Sequence, residues 1–275
     1  MILDGHIHIY QGNIGKTNFV SRLKRARVEG GIVISLPPPS FTWVASNTSA
    51  KDRLENLFFW TRQGKYFFPF FWIDPVEKNA LRQVDMAVKK GVAGFKIICN
   101  TFFPGDRRAL RIIKAIAERE KPILFHSGIL WDGSASSRYN RPVEFEALLD
   151  VIGLRFALAH ISWPWCDELV AVYGKFQHAL SVRRHQGVEM FIDITPGTPP
   201  LYREEALRKV FNTGYYVENN VIFGSDGVVF EYDYTWTQQW IKRDNAIYKK
   251  LNLPQRFLKK VYGENLKRFV QAKGE

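Results

Sequence analysis

The sequence predicts a closed (β/α)8 barrel. Three observations predict it: eight short apolar runs recur along the chain, a turn residue and an amphipathic stretch follow each, and the runs are apolar at nearly every position. Strands apolar on both faces belong to parallel sheets covered by helices, and eight repeats of this length favour a barrel over an open doubly wound sheet. No G-x-G-x-x-G follows the first run, which removes the main sequence argument for a dinucleotide-binding fold.

In order, the runs are MILDGHIHI at the start, GGIVISL (30–36), FFPFFWID (67–74), VAGFKII (92–98), PILFHSG (122–128), RFALAHIS (155–162), VEMFIDIT (188–195) and NVIFGSD (220–226). β-Branched and aromatic residues dominate them, and Gly, Pro or Ser punctuates their ends. Between them the spacing predicts helices over 18–29, 51–63, 77–90, 107–118, 142–151, 166–185 and 201–211, and a helical tail over 235–267. The stretch PPPSFTWVASNTS reads as a long βα loop after the second strand, so residues 1–275 form one expected domain.

Composition narrows the function classes. A hydrophobic fraction of 46% with 24% charged residues is ordinary for a globular chain, and no run approaches the roughly 18 apolar residues of a membrane span. No leader-like segment precedes the first strand, and Cys99 and Cys166 make no disulfide framework, so a cytoplasmic location is expected. The net charge of +12 raises nucleic acid as a partner. Its dispersal over short groups (Arg22 to Arg27, Lys89 and Lys90, Arg107 to Lys114, Arg183 and Arg184, Lys249 and Lys250, Lys259 and Lys260) reads instead as solvated outer faces.

In a barrel the strand C-termini converge on one mouth, and polar residues there read as catalytic. His6 and His8 end the first strand, Lys96 lies in the fourth, His126 ends the fifth, His160 the sixth, Asp193 lies in the seventh and Asp226 ends the eighth. Residues two apart on a strand share a face, so His6 and His8 point the same way. Alone, the pair fits a metal site and the wet face of an edge strand equally. A single His126 or His160 is also consistent with a satisfied core histidine, but four of the six histidines at strand ends form a constellation. Imidazoles and carboxylates suit Zn²⁺, Mn²⁺ or Fe²⁺, and a site of His6, His8, His126 and Asp226 qualifies as a catalytic one. Asp4, sharing the parity of this pair, is expected deeper in the barrel, either orienting a ligand imidazole from behind or bonding to backbone.

The opening DGHIHI, the HSG and AHIS after strands five and six, the FGSDG at strand eight and the terminal VYGENLKRF together resemble the amidohydrolase superfamily. More narrowly they resemble its amidohydrolase-related branch, which includes metal-dependent hydrolases and enzymes of the aminocarboxymuconate semialdehyde decarboxylase type. The resemblance runs in order along essentially the whole chain. It implies that His6, His8 and His126 bind one metal, Zn²⁺ ahead of Mn²⁺ or Fe²⁺, and that Asp226 ligates the metal or contacts its water. It implies that His160 shuttles a proton or meets the substrate. Two-metal relatives bridge their ions with a strand-four group; here that position is Lys96, for which an ion pair with Asp193 or a contact to substrate ranks ahead of a bridging role.

Aromatic residues crowd the βα loops (Trp43, Trp131, Tyr139, Trp163, Trp165, Phe230, Tyr232), as the wall of a pocket for a small cyclic molecule would require. Trp131, Trp163 and Lys96 are candidate substrate contacts, and Arg138 and Arg141 could grip a substrate carboxylate, although loops packing on their own helices is the plainer account. The expected activity is hydrolysis of a C–N or C–O bond, with Asp226 moving the proton and His160 at the oxyanion. A metal-dependent decarboxylase using the same residues is the alternative, and a non-catalytic metal-binding barrel is the reading from another class. Small-molecule substrate is the expected partner, and a homodimer remains open.

Overall fold

In the computed structural model, residues 1–10, 18–41, 48–62, 64–182 and 187–271 are described. Eight strands alternate with helical segments as the apolar runs require: β1 (Leu3–His8), β2 (Gly30–Ile34), β3 (Phe67–Trp72), β4 (Gly94–Ile97), β5 (Ile123–Phe125), β6 (Arg155–Leu158), β7 (Glu189–Asp193) and β8 (Val221–Ile222). A further short piece, β9 (Gly227–Val228), pairs with β1. All pairings are parallel, in the order β8-β7-β6-β5-β4-β3-β2-β1-β9. Because β8 pairs with β7 and β9 with β1, the two pieces are halves of one interrupted eighth strand that close the ring into a (β/α)8 barrel. A hydrogen bond from Gly5 N–H to Phe223 O, 2.8 Å, bridges part of the interruption.

Alternation sorts the strand residues into two apolar layers. Ile32, Ile34, Phe70, Trp72, Leu124, Ala157 and Phe191 fill the barrel interior. Val33, Phe71, Phe95, Ile97, Phe125, Phe156 and Ile192 pack outward under the helices. β1 breaks the rule once. Leu3 belongs to the inner layer and Ile7 to the outer, although residues four apart should share a face. The cause is a bulge: Asp4 pairs with Gly31 and Ile7 with Val33, so one extra residue of β1 lies between them and reverses the parity. His6 and His8 therefore face the interior, and Asp4 does not share their face.

The helices α1 (Phe19–Arg25), α2 (Ala50–Thr61), α3 (Ala80–Lys90), α4 (Arg107–Glu118), α5 (Cys166–Val182) and α6 (Arg203–Asn212) follow their strands, each within the expected stretch or a residue beyond it. The segment expected to be α-helical over 142–151 is instead the 3-10 turn Pro142–Leu148, preceded by another at Ser137–Asn140. The expected continuous tail is interrupted. α7 (Tyr234–Lys250) ends where Asn252 takes a left-handed φ of 54° and Pro254 lacks an N–H, and α8 (Gln255–Lys259) and α9 (Asn265–Val270) follow, joined by a π-turn. Leu266 and Phe269 join the inner layer at the N-terminal end of the strands, where Arg155, the first residue of β6, donates to the carbonyls of Arg268 and Gln271. The opposite end, where the strands terminate, is left for the site. Among the described residues no helix is long and apolar enough to cross a membrane. Trp43, Arg183 and Arg184 lie outside the described residues.

Candidate metal centre

His6 and His8, both on the inner face of β1, bring their Nε2 atoms to 3.1 Å from each other. Asp226, in the interruption of the eighth strand, places Oδ1 3.8 Å from the first and 3.6 Å from the second. His160 follows β6 in a tight turn, and one nitrogen of His160, one of His6 and one oxygen of Asp226 all lie within 4.8 Å of one another. Asp226 and His160 both hold left-handed backbone, φ 58° and 64°, a conformation that costs a non-glycine residue energy and persists only where surrounding contacts enforce it. Two glycines permit the close packing here. A Cβ on Gly197 would stand 2.6 Å from that of His160, and one on Gly224 would stand 2.1 Å from Thr195 Oγ1 and 3.0 Å from His6 Cβ.

The electrostatics keep the imidazoles neutral. Burial pushes the pKa of His6, His8 and His126 well below the ordinary value and that of His160 down to about 4, with the nearby Lys96 charge adding to the effect. Asp193 Oδ2 lies 2.8 Å from His6 Nδ1 and its Oδ1 accepts the Thr195 N–H at 2.7 Å. His6 Nδ1–H therefore donates to the carboxylate, and the Nε2 lone pair is left facing the centre. His160 donates from Nδ1 to Pro196 O at 3.1 Å, which likewise frees its Nε2. Among the described residues the buried Nδ1 of His8 has no hydrogen-bond partner; Tyr10 stacks on the ring at 4.9 Å and 9°. Lys96, wholly buried in β4, has its Nζ 3.3 Å from His6 Nε2. Burial lowers its pKa and raises that of Asp226, and each group's charge opposes the other's shift. Asp226 is 40% exposed, but into the cavity that these residues line.

Neutral imidazoles with inward lone pairs, beside a carboxylate oxygen under 4 Å away, are the donor set that a divalent transition metal takes, and these residues fit one. They line a cavity of about 210 Å³ whose other walls include Tyr10, Trp72, Trp131 and Trp163. His126 lines it too, its ring centroid 4.9 Å from that of His160, but its Nε2 is engaged with Ile129 O at 3.1 Å.

Asp4 does not orient an imidazole, because the bulge turns it away, and takes the expected alternative of bonding to backbone, at His6 and Ser225; Asp193 orients the ring instead. Lys96 makes no ion pair with Asp193 within 4 Å among the described residues; it stands on His6 and lines the cavity, within reach of a substrate there. Arg138 is not in the cavity wall: its guanidinium stacks on Tyr139 at 4.8 Å and donates to that hydroxyl, while Arg141 pairs with Glu168 at 2.5 Å. Of the loop aromatics, Trp131 and Trp163 reach the cavity, whereas Tyr139 packs on Phe103 and Tyr232 is buried behind the site. Tyr10 and Trp72 were missed, though strand parity marks both: Tyr10 is two residues beyond His8 and Trp72 two beyond the inner residue Phe70.

Residues 42–271 match the family model described as amidohydrolase. No curated protein sequence matches the chain. Among solved structures, an amidohydrolase from Burkholderia multivorans with bound zinc superposes with a TM-score of 0.65 at 11% identity, covering 99% of each chain. A probable 2-pyrone-4,6-dicarboxylic acid hydrolase from Acinetobacter baumannii gives 0.63 at 11% identity over 98% of each chain. A 2,6-dihydroxybenzoate decarboxylase from Rhizobium gives 0.60 at 12%, over 98% of this chain and 97% of its own.

Proposed function

The chain belongs to the amidohydrolase family, and on that premise we propose that it is a metal-dependent hydrolase of a small cyclic or anionic organic substrate, cleaving a C–N or C–O bond. The observation that carries the reading is the convergence of His6 Nε2, His8 Nε2 and Asp226 Oδ1 at one wall of an aromatic-lined cavity.

His6, His8 and Asp226 would hold one divalent ion, Zn²⁺ first; His126 enters the set through the family resemblance, and His160 through its proximity. A bound ion of this kind supplies Lewis acidity toward a carbonyl and lowers the pKa of water from about 15.7 toward 7. Asp226, beside the reacting centre, takes a proton from the attacking water and returns it to the leaving group. His160 Nε2, its ring proton held on Nδ1 by Pro196 O, is an acceptor and suits a proton shuttle, and Lys96, its Nζ 3.3 Å from His6 Nε2, contributes positive charge at the centre. Trp131 and Trp163 flank the substrate ring. A volume of about 210 Å³ suits a single ring with small substituents better than an extended polymer.

The test is turnover of a panel of lactones, cyclic amides and hydroxybenzoates by zinc-loaded protein in ¹⁸O-labelled water. Label in the product supports hydrolysis; carbon dioxide release without label supports the decarboxylase alternative, which would use the same residues. Asp226→Asn should cut turnover about 10²- to 10⁴-fold with the fold intact, and undiminished activity would refute its role. Absence of stoichiometric zinc, manganese or iron in protein purified without chelator would favour a non-catalytic barrel. His126→Ala and His160→Ala, compared for metal content, decide which of the two completes the ligand set.

A further inference from the structure

Asp4 hydrogen-bonds to neither imidazole nor to Asp226, yet among the described residues four hydrogen bonds end on its buried carboxylate. Oδ1 accepts the backbone N–H of His6 at 3.0 Å and of Ser225 at 2.8 Å. Oδ2 accepts the Ser225 hydroxyl at 2.5 Å and the Tyr232 hydroxyl at 2.8 Å. One end of this arrangement is the strand that carries His6 and His8, and the other is the residue immediately before Asp226. Ser225 is fixed at its remaining polar atoms as well: its hydroxyl oxygen accepts Gly227 N–H and its carbonyl accepts the Trp236 indole N–H, each at 3.0 Å. Gly227 in turn pairs with Ile7 of β1. Asp226 is thus held from both sides in its left-handed conformation.

The need for such a tie follows from the interrupted eighth strand. β8 ends at Ile222 and β9 begins at Gly227, so the ladder that would normally set the spacing between neighbouring strands is missing where Asp226 sits. The bulge in β1, which turns Asp4 off the face of the histidines, is what aims its carboxylate into this gap.

We propose that Asp4 is a positioning residue: by clasping the backbone of His6 to Ser225 it sets the separation between the His6–His8 pair and Asp226. The inference rests on the reading of these three as ligands of one cation.

The experiment uses the full chain with zinc and cobalt(II) as probes. Zinc affinity by chelator competition, the visible absorption of the cobalt(II) form and thermal unfolding of the metal-free protein are measured for wild type, Asp4→Asn, Ser225→Ala and Tyr232→Phe. Asp4→Asn and Ser225→Ala should lose zinc affinity by about 10- to 100-fold and shift the cobalt bands at temperatures where they remain folded, with a smaller loss for Tyr232→Phe. Variants that melt lower but keep wild-type affinity and cobalt spectrum would reduce Asp4 to a fold-stabilising role and overturn the proposal. If Asp4→Asn does not fold, Ser225→Ala carries the same decision. Wild-type protein that binds neither ion would overturn the metal reading itself, and the clasp with it, an outcome distinct from unaltered binding in the variants.

Discussion

Asp193 Oδ2, at the end of β7, lies 2.8 Å from Nδ1 of His6 on β1, with only the interrupted eighth strand between the two strands. The contact decides which nitrogen of His6 carries the proton and holds the ring with Nε2 toward the centre. Asp193→Ala should therefore weaken zinc binding by about 10- to 100-fold while His6 itself remains, measured by chelator competition. Unchanged affinity would show that packing alone orients the imidazole.

A cation that binds the folded chain and not the unfolded one stabilises by mass action. Zinc at 100 times its dissociation constant should add about 2.7 kcal/mol, seen as a rise in melting temperature that a chelator reverses. His6→Ala should abolish the rise, since it removes a donor 3.1 Å from His8 Nε2 and 3.8 Å from Asp226 Oδ1.

The pair Arg203–Asp244 ties α6 to α7 with two hydrogen bonds of 2.9 and 2.7 Å, and neither side chain is exposed. Removing one partner strands a buried charge, so Asp244→Ala should cost about 3–5 kcal/mol in urea unfolding. Replacing both by apolar residues of similar volume should recover most of that loss, because the orphaned charge is gone.

Asp106 caps α4, its Oδ1 accepting Arg108 N–H at 2.8 Å while the Arg108 side chain donates to both oxygens. The bond from the Arg108 side chain holds this carboxyl down to about 2 from an ordinary 3.8. A carboxylate with a depressed folded pKa stabilises above the unfolded value and loses that contribution as pH falls through the folded one. Asp106→Ala should cost about 1 kcal/mol at pH 7. Its gap from wild type should narrow as pH falls from about 4 to 2, and a gap that stayed constant would contradict the ionic contribution.

Much of this was legible from local pattern. Runs apolar at nearly every position located β1 to β8, though not the short β9, and the polar residues at their ends marked His6, His8, His126, His160 and Asp226, which line one cavity. Strand parity marks Tyr10, Trp72 and Asp193 as inward. The 3-10 turn at Pro142–Leu148 was not legible, because an apolar spacing near three and a half fits both helix types. Arg138 and Arg141 were beyond reach for another reason: the path of a loop decides where a long flexible cation lands, and Tyr139 and Glu168 take them outside the cavity.

By itself, then, the sequence determined the order of elements, the barrel and which polar residues stand at its mouth, because alternation and turn residues act within a few positions of the chain. Only the tertiary structure decided which carboxylate serves which histidine. A single bulge in β1, created by pairing with β2, turned Asp4 off the face of the histidines and left Asp193 of β7 to meet His6; a one-residue slip of register reverses every side chain beyond it, and that depends on strands far apart in sequence.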